Sequence, residues 1–266
     1  ERWQKLRPAL LDSGSYAVLE ESLKEPYYLD RASLLPPLAL LSALQNWESL
    51  SGREVEASGM HIVDLCAAPG GKSLVIGSRI DSNDRLTAND RSRRRVARLR
   101  RVLEEHMPQE RRHVVRVTNF DASLWGVKQP ESADAVLCDV PCSSERHVLS
   151  SPRHLQEWSE SRIKRLAKQA VGILASGFDA LRPGGVVVYS TCALSPAEND
   201  AVVARVMERR SERCRLAPLS VDEIAQICEG VLPVEALEPT EHGLQVLPDS
   251  GGGSGPIYFS RLRKAD

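Results

Sequence analysis

The stretch from Met60 to Lys72 constrains the fold more than any other part of this sequence. An apolar run from Ile62 to Leu65 ends abruptly at small residues, a proline and the pair Gly70-Gly71, and a second apolar run follows. This pattern predicts a buried strand, a tight turn and the first turn of a helix. Glycines at such a turn let the backbone approach a ligand closely, and the helix start offers unpaired N–H groups. The stretch therefore predicts a nucleotide-type cofactor loop, with a plain strand-to-helix turn as the alternative.

The glycine loop does not match the dinucleotide pattern G-x-G-x-x-G, because Ala68-Pro69-Gly70-Gly71 has a different spacing. Asp90 ends the next predicted strand, at the distance from the loop where folds of this kind hold the hydroxyl groups of a ribose. A carboxylate suits that position because it accepts two hydrogen bonds at once. The alternative role for Asp90 is the N-cap of the following helix.

Apolar runs with helical segments between them continue along the chain and predict a doubly wound α/β fold with a mostly parallel sheet. Two C-terminal segments, Gly243 to Leu247 and Ile257 to Leu262, predict an antiparallel edge pair. Ser195-Pro196-Ala197-Glu198 predicts a capping box that starts a helix. We divide the chain into a helical N-terminal extension, residues 1–58, and one α/β domain, residues 59–266. The predicted strands of the parallel part are residues 62–65, 85–89, 113–118, 133–138 and 186–191.

Acidic side chains follow four successive predicted strands, and cysteines follow the fourth and fifth: Asp64, Asp90, Asp121, Asp139, Cys142 and Cys192. The carboxyl ends of parallel strands meet at one edge of a sheet, so these side chains are expected to lie close together there. We call this edge of the sheet the rim. Acidic groups there suit the ribose, amine and base edge of an adenosine-type cofactor better than the phosphates of a dinucleotide. S-adenosylmethionine therefore fits the rim better than NAD or ATP.

The six cysteines contain no C-x-x-C pair, so neither a zinc site nor a disulfide framework is predicted, and no metal is assigned. Four of them are interpreted as buried apolar residues: Cys66, Cys138, Cys214 and Cys228. Cys142 lies in a Pro-Cys-Ser-Ser segment and Cys192 follows a serine and a threonine, so both are candidates for covalent chemistry.

The net charge of -1 argues against a uniformly basic nucleic-acid-binding protein but leaves room for a local basic surface. A helix after Asp90 carries a dense run of arginines outside its apolar stripe: Arg93, Arg94, Arg98, Arg100 and Arg101. This run predicts either a surface that contacts phosphates or a solvated charged face. No apolar run is long enough to cross a bilayer, so no membrane partner is expected.

Three motifs together resemble the RNA cytosine-C5 methyltransferases of the NSUN (Sun-domain) family: DLCAAPGGK at Asp64 to Lys72, DVPC at Asp139 to Cys142, and YSTCALSPAEN at Tyr189 to Asn199. The resemblance runs from about Tyr27 to the strand around Tyr258. It implies a Rossmann-like class I methyltransferase fold in residues 59–266, with a mostly parallel seven-stranded sheet, an antiparallel edge strand and helices on both faces.

The resemblance also implies roles for individual residues. Cys192 is the nucleophile that attacks C6 of cytosine, Cys142 assists elimination and product release, and Asp139 contacts the polar edge of the base near the cofactor. The S-adenosylmethionine site maps onto the glycine loop and four polar residues: Cys66, Ala67, Ala68, Pro69, Gly70, Gly71, Lys72, Asp90, Arg95, Asp121 and Asp139.

Many members of this family have a glycine soon after the Pro-Cys pair, whereas this chain continues Ser143-Ser144-Glu145-Arg146-His147. This variant resembles the mitochondrial ribosomal-RNA branch, which implies ribosomal RNA as substrate, action on an assembling small subunit and a mitochondrial matrix location, with cytoplasm or nucleolus as alternatives. Since the chain begins at Glu1 rather than at Met, an upstream segment is expected, and any targeting peptide would lie in that segment.

The chain carries no recognisable appended RNA-binding module, so a protein partner or a preassembled ribosomal particle is expected to direct it to its target. Further basic positions are expected to contact the RNA backbone: Arg153, Arg162, Lys164, Arg165 and Lys168. Two alternatives to a ribosomal-RNA methyltransferase stay open. One is a methyltransferase-shaped assembly factor with little or no activity, and the other is a transfer-RNA cytosine-C5 methyltransferase.

Overall fold

The structure is a computed structural model that describes residues 1–51, 59–156 and 158–265. Its centre is a nine-stranded sheet, preceded along the chain by a two-stranded hairpin. The hairpin consists of β1 (Tyr16–Leu19) and β2 (Tyr27–Asp30). The sheet consists of β3 (His61–Asp64), β4 (Arg85–Asn89), β5 (Val115–Thr118), β6 (Ala133–Asp139), β7 (Leu181–Thr191), β8 (Cys214–Leu216), β9 (Glu238–Pro239), β10 (Leu244–Val246) and β11 (Ile257–Lys264).

The strands of the sheet lie in the order β5-β4-β3-β6-β7-β11-β10-β9, and β8 pairs separately with β11. Strands β3 to β7 pair in parallel, whereas β11 pairs antiparallel with β7, β8 and β10. From β3 the chain moves outward through β4 to β5 and then returns to the other side of β3 for β6 and β7. The direction of progression therefore reverses between β3 and β6, and sheets of this type bind ligands beyond the carboxyl ends of the strands at such a point.

Eleven α-helices connect these strands in the described part of the chain. They are α1 (Arg2–Leu11), α2 (Leu35–Gln45), α3 (Trp47–Ser51), α4 (Gly71–Gly77), α5 (Arg93–His106), α6 (Trp125–Lys128), α7 (Glu145–Leu149), α8 (Pro152–Gln156), α9 (Glu160–Ala180), α10 (Asp200–Arg209) and α11 (Val221–Cys228). None of the described helices is both long and apolar enough to cross a membrane.

The core has two layers because neighbouring residues of a strand point to opposite faces of the sheet. Ile62 packs with α2 and α4 on one face, whereas Val63 packs with α9 and α10 on the other. Helix α5 covers the glycine loop through its apolar stripe, which includes Leu99 and Val102. Helices therefore lie on both faces of the sheet, as the sequence predicts.

The predicted α/β fold with a mostly parallel sheet is confirmed, and so is the C-terminal antiparallel pair. The short strands β8 and β9 enlarge the sheet beyond seven strands, so the antiparallel β11 lies inside this end of the sheet and not at its edge. The predicted helix start at Ser195 is wrong. Residues 196–199 form turns, and α10 begins at Asp200.

The N-terminal residues contain helices and the β1–β2 hairpin, and they pack on the same core as the sheet. Leu35 and Leu40 of α2 are fully buried in the layer that contains Ile62, and Leu10 of α1 packs against Leu247. The division of the chain into residues 1–58 and 59–266 stays a prediction, since residues 52–58 lie outside the described residues.

Candidate active site

The glycine loop connects the carboxyl end of β3 to α4, directly at the reversal of strand order. Gly70 has a φ of 126°, and a Cβ there would lie 3.0 Å from Val102 and 3.2 Å from Leu99. A Cβ at Gly71 would lie 2.9 Å from Tyr27. Both glycines are thus required by the close packing of α5 and β2 against the loop, a steric reason that the sequence prediction of ligand approach did not include.

The first turn of α4 places Lys72 beside Asp139, which is the last residue of β6. Lys72 Nζ lies 2.8 Å from Asp139 Oδ2, and Ser190 Oγ donates a hydrogen bond of 2.8 Å to Asp139 Oδ1. Burial disfavours the charged form of Lys72, but the attraction of Asp139 outweighs it and the pKa of Lys72 is raised. An ion pair therefore joins the glycine loop to the segment that leads to Cys142.

Asp64 lies at the carboxyl end of β3, beneath the loop, and its side chain is fully buried. Ser73 Oγ donates a hydrogen bond of 2.7 Å to Asp64 Oδ2, whereas Oδ1 has no hydrogen-bond partner among the described residues. Burial raises the pKa of Asp64 to about 7. Buried carboxyl oxygens rarely lack a partner, so Oδ1 is a polar atom to which a ligand can form a hydrogen bond.

Asp90 and Arg95 lie on the other side of the loop. Asp90 Oδ1 accepts a 2.9 Å hydrogen bond from the Ser92 N–H, and Asp90 Oδ2 lies 3.2 Å from Arg95 Nη1. Arg95 Nη2 donates to the Ala68 carbonyl, so this arginine ties α5 to the loop. The N-cap of α5 is Ser92, and the alternative cap role for Asp90 is therefore wrong.

Asp121 follows β5 at the outer end of the rim and is 37% exposed. Its carboxylate accepts hydrogen bonds from the Ser123 hydroxyl and N–H at 2.7 Å and 3.0 Å, and it lies 3.6 Å from Arg91. The Ser123 hydroxyl is the main reason that the pKa of Asp121 is lowered. Asp121 is thus an exposed acceptor, unlike Asp64 and Asp90.

The two candidate cysteines are in contact. Cys142 Sγ lies 3.1 Å from Cys192 Sγ, on loops that follow β6 and β7. The hydrogen bond between the sulfurs lowers the pKa of Cys192 and raises the pKa of Cys142, so Cys192 is the sulfur of the pair that loses its proton more readily. Lys72 also lowers the pKa of Cys192, whereas burial and Asp139 oppose this effect. The rim therefore carries a thiol pair with one activated sulfur.

The other cysteines are packed in the protein, as predicted. Cys138, Cys214 and Cys228 are buried, and burial is the main cause that raises the pKa of each thiol. Cys66 lies in the glycine loop and packs against the apolar layer of Val63, and burial raises its pKa as well. No cluster of metal-ligating side chains occurs in the ranges that the structure describes.

Side chains to which the sequence analysis gave no role in the site hold the two cysteine loops together. The Ser143 N–H donates a 2.9 Å hydrogen bond to Glu198 Oε1, and the Leu194 N–H donates one of 2.9 Å to Glu145 Oε2. The Ser143 hydroxyl contacts both Glu145 and Glu198. Burial is the main cause that raises the pKa of Glu198. We call these three side chains, Ser143, Glu145 and Glu198, the carboxyl clamp.

Ser144 is the second feature that the sequence analysis missed. Its φ of 56° lies in the left-handed region, which side chains other than glycine rarely occupy. Its hydroxyl lies 3.2 Å from Cys192 Sγ and 3.5 Å from Cys142 Sγ. No sequence pattern reports a strained backbone angle, so this residue becomes visible only in the structure.

The structure thus brings Asp139, Lys72, Cys142 and Cys192 together, and it places Asp90, Arg95 and residues 66–71 beside them on the same rim. Asp121 lies further out. The catalytic and cofactor-binding roles of these residues stay predictions.

The sheet order and the rim define a Rossmann-like methyltransferase fold of the type found in S-adenosylmethionine-dependent enzymes. NSun6 from Pyrococcus horikoshii with SFG superposes with a TM-score of 0.66 at 22% identity, over 91% of this chain and 53% of that chain. A methyltransferase homolog protein from Pyrococcus horikoshii superposes with a TM-score of 0.64 at 22% identity, over 90% of this chain and 68% of that chain. At such identities these structures show the fold alone.

The chain belongs to the 16S rRNA methyltransferase RsmB/F family, whose model matches residues 54–263. It is 36% identical over 251 residues to the 5-cytosine rRNA methyltransferase NSUN4 of Xenopus laevis, covering 90% of this chain and 56% of that protein. It is 37% identical over 246 residues to the mitochondrial tRNA (cytosine(34)-C(5))-methyltransferase of Mus musculus, covering 91% and 65%. It is 34% identical over 244 residues to the ribosomal RNA small subunit methyltransferase F of Aeromonas salmonicida, covering 92% and 47%. The chain thus spans about half to two thirds of the length of these relatives.

Proposed function

We propose that this chain methylates C5 of a cytosine in ribosomal RNA, with S-adenosylmethionine as methyl donor and a covalent bond between Cys192 and C6 of the base. The observation that carries the proposal is the thiol pair beside an ion pair on the ligand-binding rim. Cys192 Sγ lies 3.1 Å from Cys142 Sγ, and both Lys72 and Asp139 act on the pKa of Cys192.

The rim fits the proposed cofactor. Asp64 Oδ1 is a buried oxygen without a partner among the described residues, and Asp90 and Asp121 follow β4 and β5, the next two strands of the sheet. Carboxyl oxygens accept hydrogen bonds from amine and hydroxyl groups, which S-adenosylmethionine carries on its methionine and ribose parts. When bound, this cofactor supplies an electrophilic methyl group. Residues 66–72, Arg95 and these three carboxyl groups would hold it.

The chemistry of cytosine requires a nucleophile at C6, because C5 is too electron-poor to take a methyl group unaided. The Cys192 thiolate attacks C6 and forms a carbon–sulfur bond, which makes C5 nucleophilic. After methyl transfer the C5 proton leaves as H⁺, the carbon–sulfur bond breaks and Cys192 leaves as thiolate. Cys142 touches that sulfur and its pKa is raised, so its thiol is suited to donate a hydrogen bond to the departing Cys192 thiolate while the C5 proton passes to water.

Asp139 and Lys72 are suited to contact the polar edge of the base. They lie beside the thiols as an ion pair, and Ser190 fixes the carboxylate of Asp139 from the other side. A partly buried, prearranged pair of this kind needs little reorganisation when a base enters the site.

Two basic surfaces are suited to hold the RNA backbone. The exposed face of α5 carries the predicted arginines, while Val96 and Leu99 point into the core. A groove of about 1060 Å³ between α9 and α10 has a lining of small and apolar residues, one acidic residue, Glu208, and four basic residues: Lys164, Lys168, Arg205 and Arg209. Lysine and arginine at these positions neutralise phosphates without reading the sequence.

The identity of the RNA rests on the relatives. One is by its name an rRNA methyltransferase and another a methyltransferase of small-subunit ribosomal RNA, which favours small-subunit ribosomal RNA as substrate, and action on an assembling small subunit is part of the proposal. A mitochondrial matrix location agrees with the mitochondrial mouse relative. That relative also favours a second candidate, a transfer-RNA cytosine-C5 methyltransferase, which would use the same site.

The test is transfer of label from radiolabelled S-adenosylmethionine to small-subunit ribosomal RNA, immature small subunits or transfer RNA. Wild type, Cys192→Ala and Cys142→Ala are compared, with Cys228→Ala as a buried cysteine remote from the rim. We expect Cys192→Ala to lower the rate about a thousandfold or more, since the nucleophile is lost. Cys142→Ala is expected to accumulate a protein–RNA adduct on denaturing gels.

Three results would contradict the proposal in different ways. Label on RNA that survives Cys192→Ala would reject the covalent mechanism. Label on transfer RNA alone would show that transfer RNA, and not ribosomal RNA, is the substrate. No label on any of the three substrates, with a folded wild-type protein, would favour the inactive assembly factor.

A further inference from the structure

Ser144 stands out from the rest of the rim because it combines an unfavourable backbone conformation with contacts to both thiols. Three described residues other than glycine have positive φ angles, namely Ser22, Glu131 and Ser144. Ser22 and Glu131 are exposed, whereas Ser144 is partly buried against the cysteines. Left-handed backbone at a residue with a side chain costs free energy and persists where the surroundings hold it.

We infer that Ser144 is a third member of the thiol site, whose hydroxyl donates a hydrogen bond to the Cys192 sulfur and stabilises it as a thiolate. This inference deepens the proposed function, because Cys192 is the proposed nucleophile. It assigns to Ser144 a chemical role that its position in the Pro-Cys-Ser-Ser segment does not reveal.

The direction of the hydrogen bond follows from the geometry. The hydroxyl has one hydrogen and three acceptors in reach, which are Cys192 Sγ at 3.2 Å and the Sγ and carbonyl oxygen of Cys142, both at 3.5 Å. Cys192 Sγ is the nearest, and a thiolate is a stronger acceptor than a thiol because it is charged. The sulfur of Cys142 lies 3.1 Å from the same atom, so a thiolate on Cys192 would accept hydrogen bonds from both the Ser144 hydroxyl and the Cys142 thiol.

Other charged groups around Cys192 do not replace this contact. Lys72 favours the thiolate through its charge, but its ammonium is paired with Asp139, which disfavours the thiolate. The carboxyl groups of Glu145 and Glu198 are engaged with Ser143 and the Leu194 N–H. The neutral donors of Cys142 and Ser144 are therefore the contacts that stabilise the anion without a second charge, and Ser144 lowers the pKa of Cys192.

The left-handed conformation explains how the hydroxyl reaches the sulfurs. Ser144 lies immediately before α7, and the clamp residues Ser143 and Glu145 on either side of it are fixed to the Cys192 loop. The chain turns sharply at Ser144 between these two fixed neighbours. Glycine would make this turn without strain but would offer no donor.

The experiment measures the rate at which iodoacetamide alkylates Cys192 as a function of pH. Trypsin releases residues 169–205 as a peptide whose single cysteine is Cys192, so mass spectrometry reads this sulfur alone. Ser144→Ala and Ser144→Gly both remove the hydroxyl, and Gly also removes the backbone strain. Ser22→Ala is the control, because Ser22 is an exposed serine with a similar φ of 61°.

We expect both Ser144 variants to move the midpoint of the pH profile upward by about one unit and to slow alkylation near neutral pH about tenfold, the effect of losing one hydrogen bond to a charged group. Ser22→Ala should match wild type. The inference is overturned if both Ser144 variants keep the wild-type midpoint. It is also overturned if Ser144→Ala shifts the midpoint and Ser144→Gly does not, since the effect would then come from the backbone.

Two features keep the result interpretable. If Ser144→Ala melts below the assay temperature, Ser144→Gly decides alone, because glycine tolerates the left-handed turn. The assay contains neither RNA nor S-adenosylmethionine, so it reads the thiolate whether or not the chain methylates RNA. A shifted midpoint in a chain that transfers no methyl group would support Ser144 and reject the proposed function.

Discussion

The rim has a cofactor half, which contains Asp64, Asp90 and Asp121, and a thiol half, which contains Cys142, Cys192 and the carboxyl clamp. The side chains of the two halves are held in place by different kinds of contact. In the cofactor half, Asp64, Asp90 and Asp121 each have one oxygen fixed by a serine within nine residues along the chain. In the thiol half, the carboxyl clamp joins segments about fifty residues apart, through the contacts of Ser143 with Glu198 and of Glu145 with Leu194.

This difference matches what each half has to do. Locally fixed carboxyl groups keep an acceptor oxygen free for a ligand, and Asp64 Oδ1 is such an atom. Two sulfurs on separate loops have to be held at a working distance before a substrate arrives, which requires contacts between the loops. The cofactor half thus has a polar atom available to a ligand, whereas in the thiol half the two cysteine loops are already joined by hydrogen bonds within the protein.

The largest expected effect concerns Asp64. Burial raises its folded-state pKa to about 7 from an ordinary value of 3.8, so the folded protein keeps a proton that the unfolded chain releases. The associated stability is present below about pH 4 and is lost as pH rises to about 7, at about 1.4 kcal/mol per pH unit. The free energy of unfolding, measured as a function of pH, should therefore fall between about pH 4 and pH 7 in wild type. Asp64→Asn should abolish this contribution to the slope.

The exposed Asp81 provides the control, and Asp81→Asn should leave the slope as in wild type. An unchanged slope in Asp64→Asn would mean that Asp64 is ionised in the folded protein. The cofactor half would then hold a buried negative charge before any ligand binds.

The second effect tests the clamp. Glu198→Ala removes an acceptor that is 1% exposed and leaves the Ser143 N–H without its partner, so we expect the free energy of unfolding to fall by about 2 kcal/mol. Urea denaturation measures this change. The exposed Glu229→Ala should stay within about 0.5 kcal/mol of wild type. Equal stability of the two variants would mean that the loops are held by other contacts.

The smallest effect belongs to the outer end of the cofactor half. Arg91 and Asp121 are 68% and 37% exposed and 3.6 Å apart, a geometry that contributes little in water. Arg91→Ala should therefore change the free energy of unfolding by less than about 0.5 kcal/mol in the same urea titration. A loss as large as that of Glu198→Ala would show that this half is also held together by its side chains.

The fold was largely visible in the sequence because its core strands are short apolar runs that end at acidic or small residues. Hydrophobic periodicity reports such strands directly, and parallel pairing brings their carboxyl ends to one edge. The cluster of Asp139, Cys142 and Cys192 follows from that rule. The short strands β8 and β9 were not predicted, since runs of two or three residues give no periodic signal.

The sequence analysis assigned Glu198 to a capping box and not to the carboxyl clamp, and this error has a physical reason. Ser195 and Glu198 have the spacing of a capping box, a pattern that refers only to neighbouring backbone. In the structure Glu198 turns inward to Ser143, a residue 55 positions earlier in the chain. Tertiary contacts between loops leave no local pattern, and therefore the cysteines were found but the residues that position them were not.

The ion pair of Lys72 with Asp139 has one further consequence. Lys72 belongs to the segment proposed to hold the cofactor, and Asp139 to the segment proposed to meet the base, so their contact of 2.8 Å joins the two binding events. A ligand that strengthens or weakens this contact from one side alters the affinity of the other side by the same factor, because coupling between sites is reciprocal. The order in which cofactor and RNA arrive then has no effect on the final free energy, and a substitution at either residue should reduce the cooperativity between the two ligands.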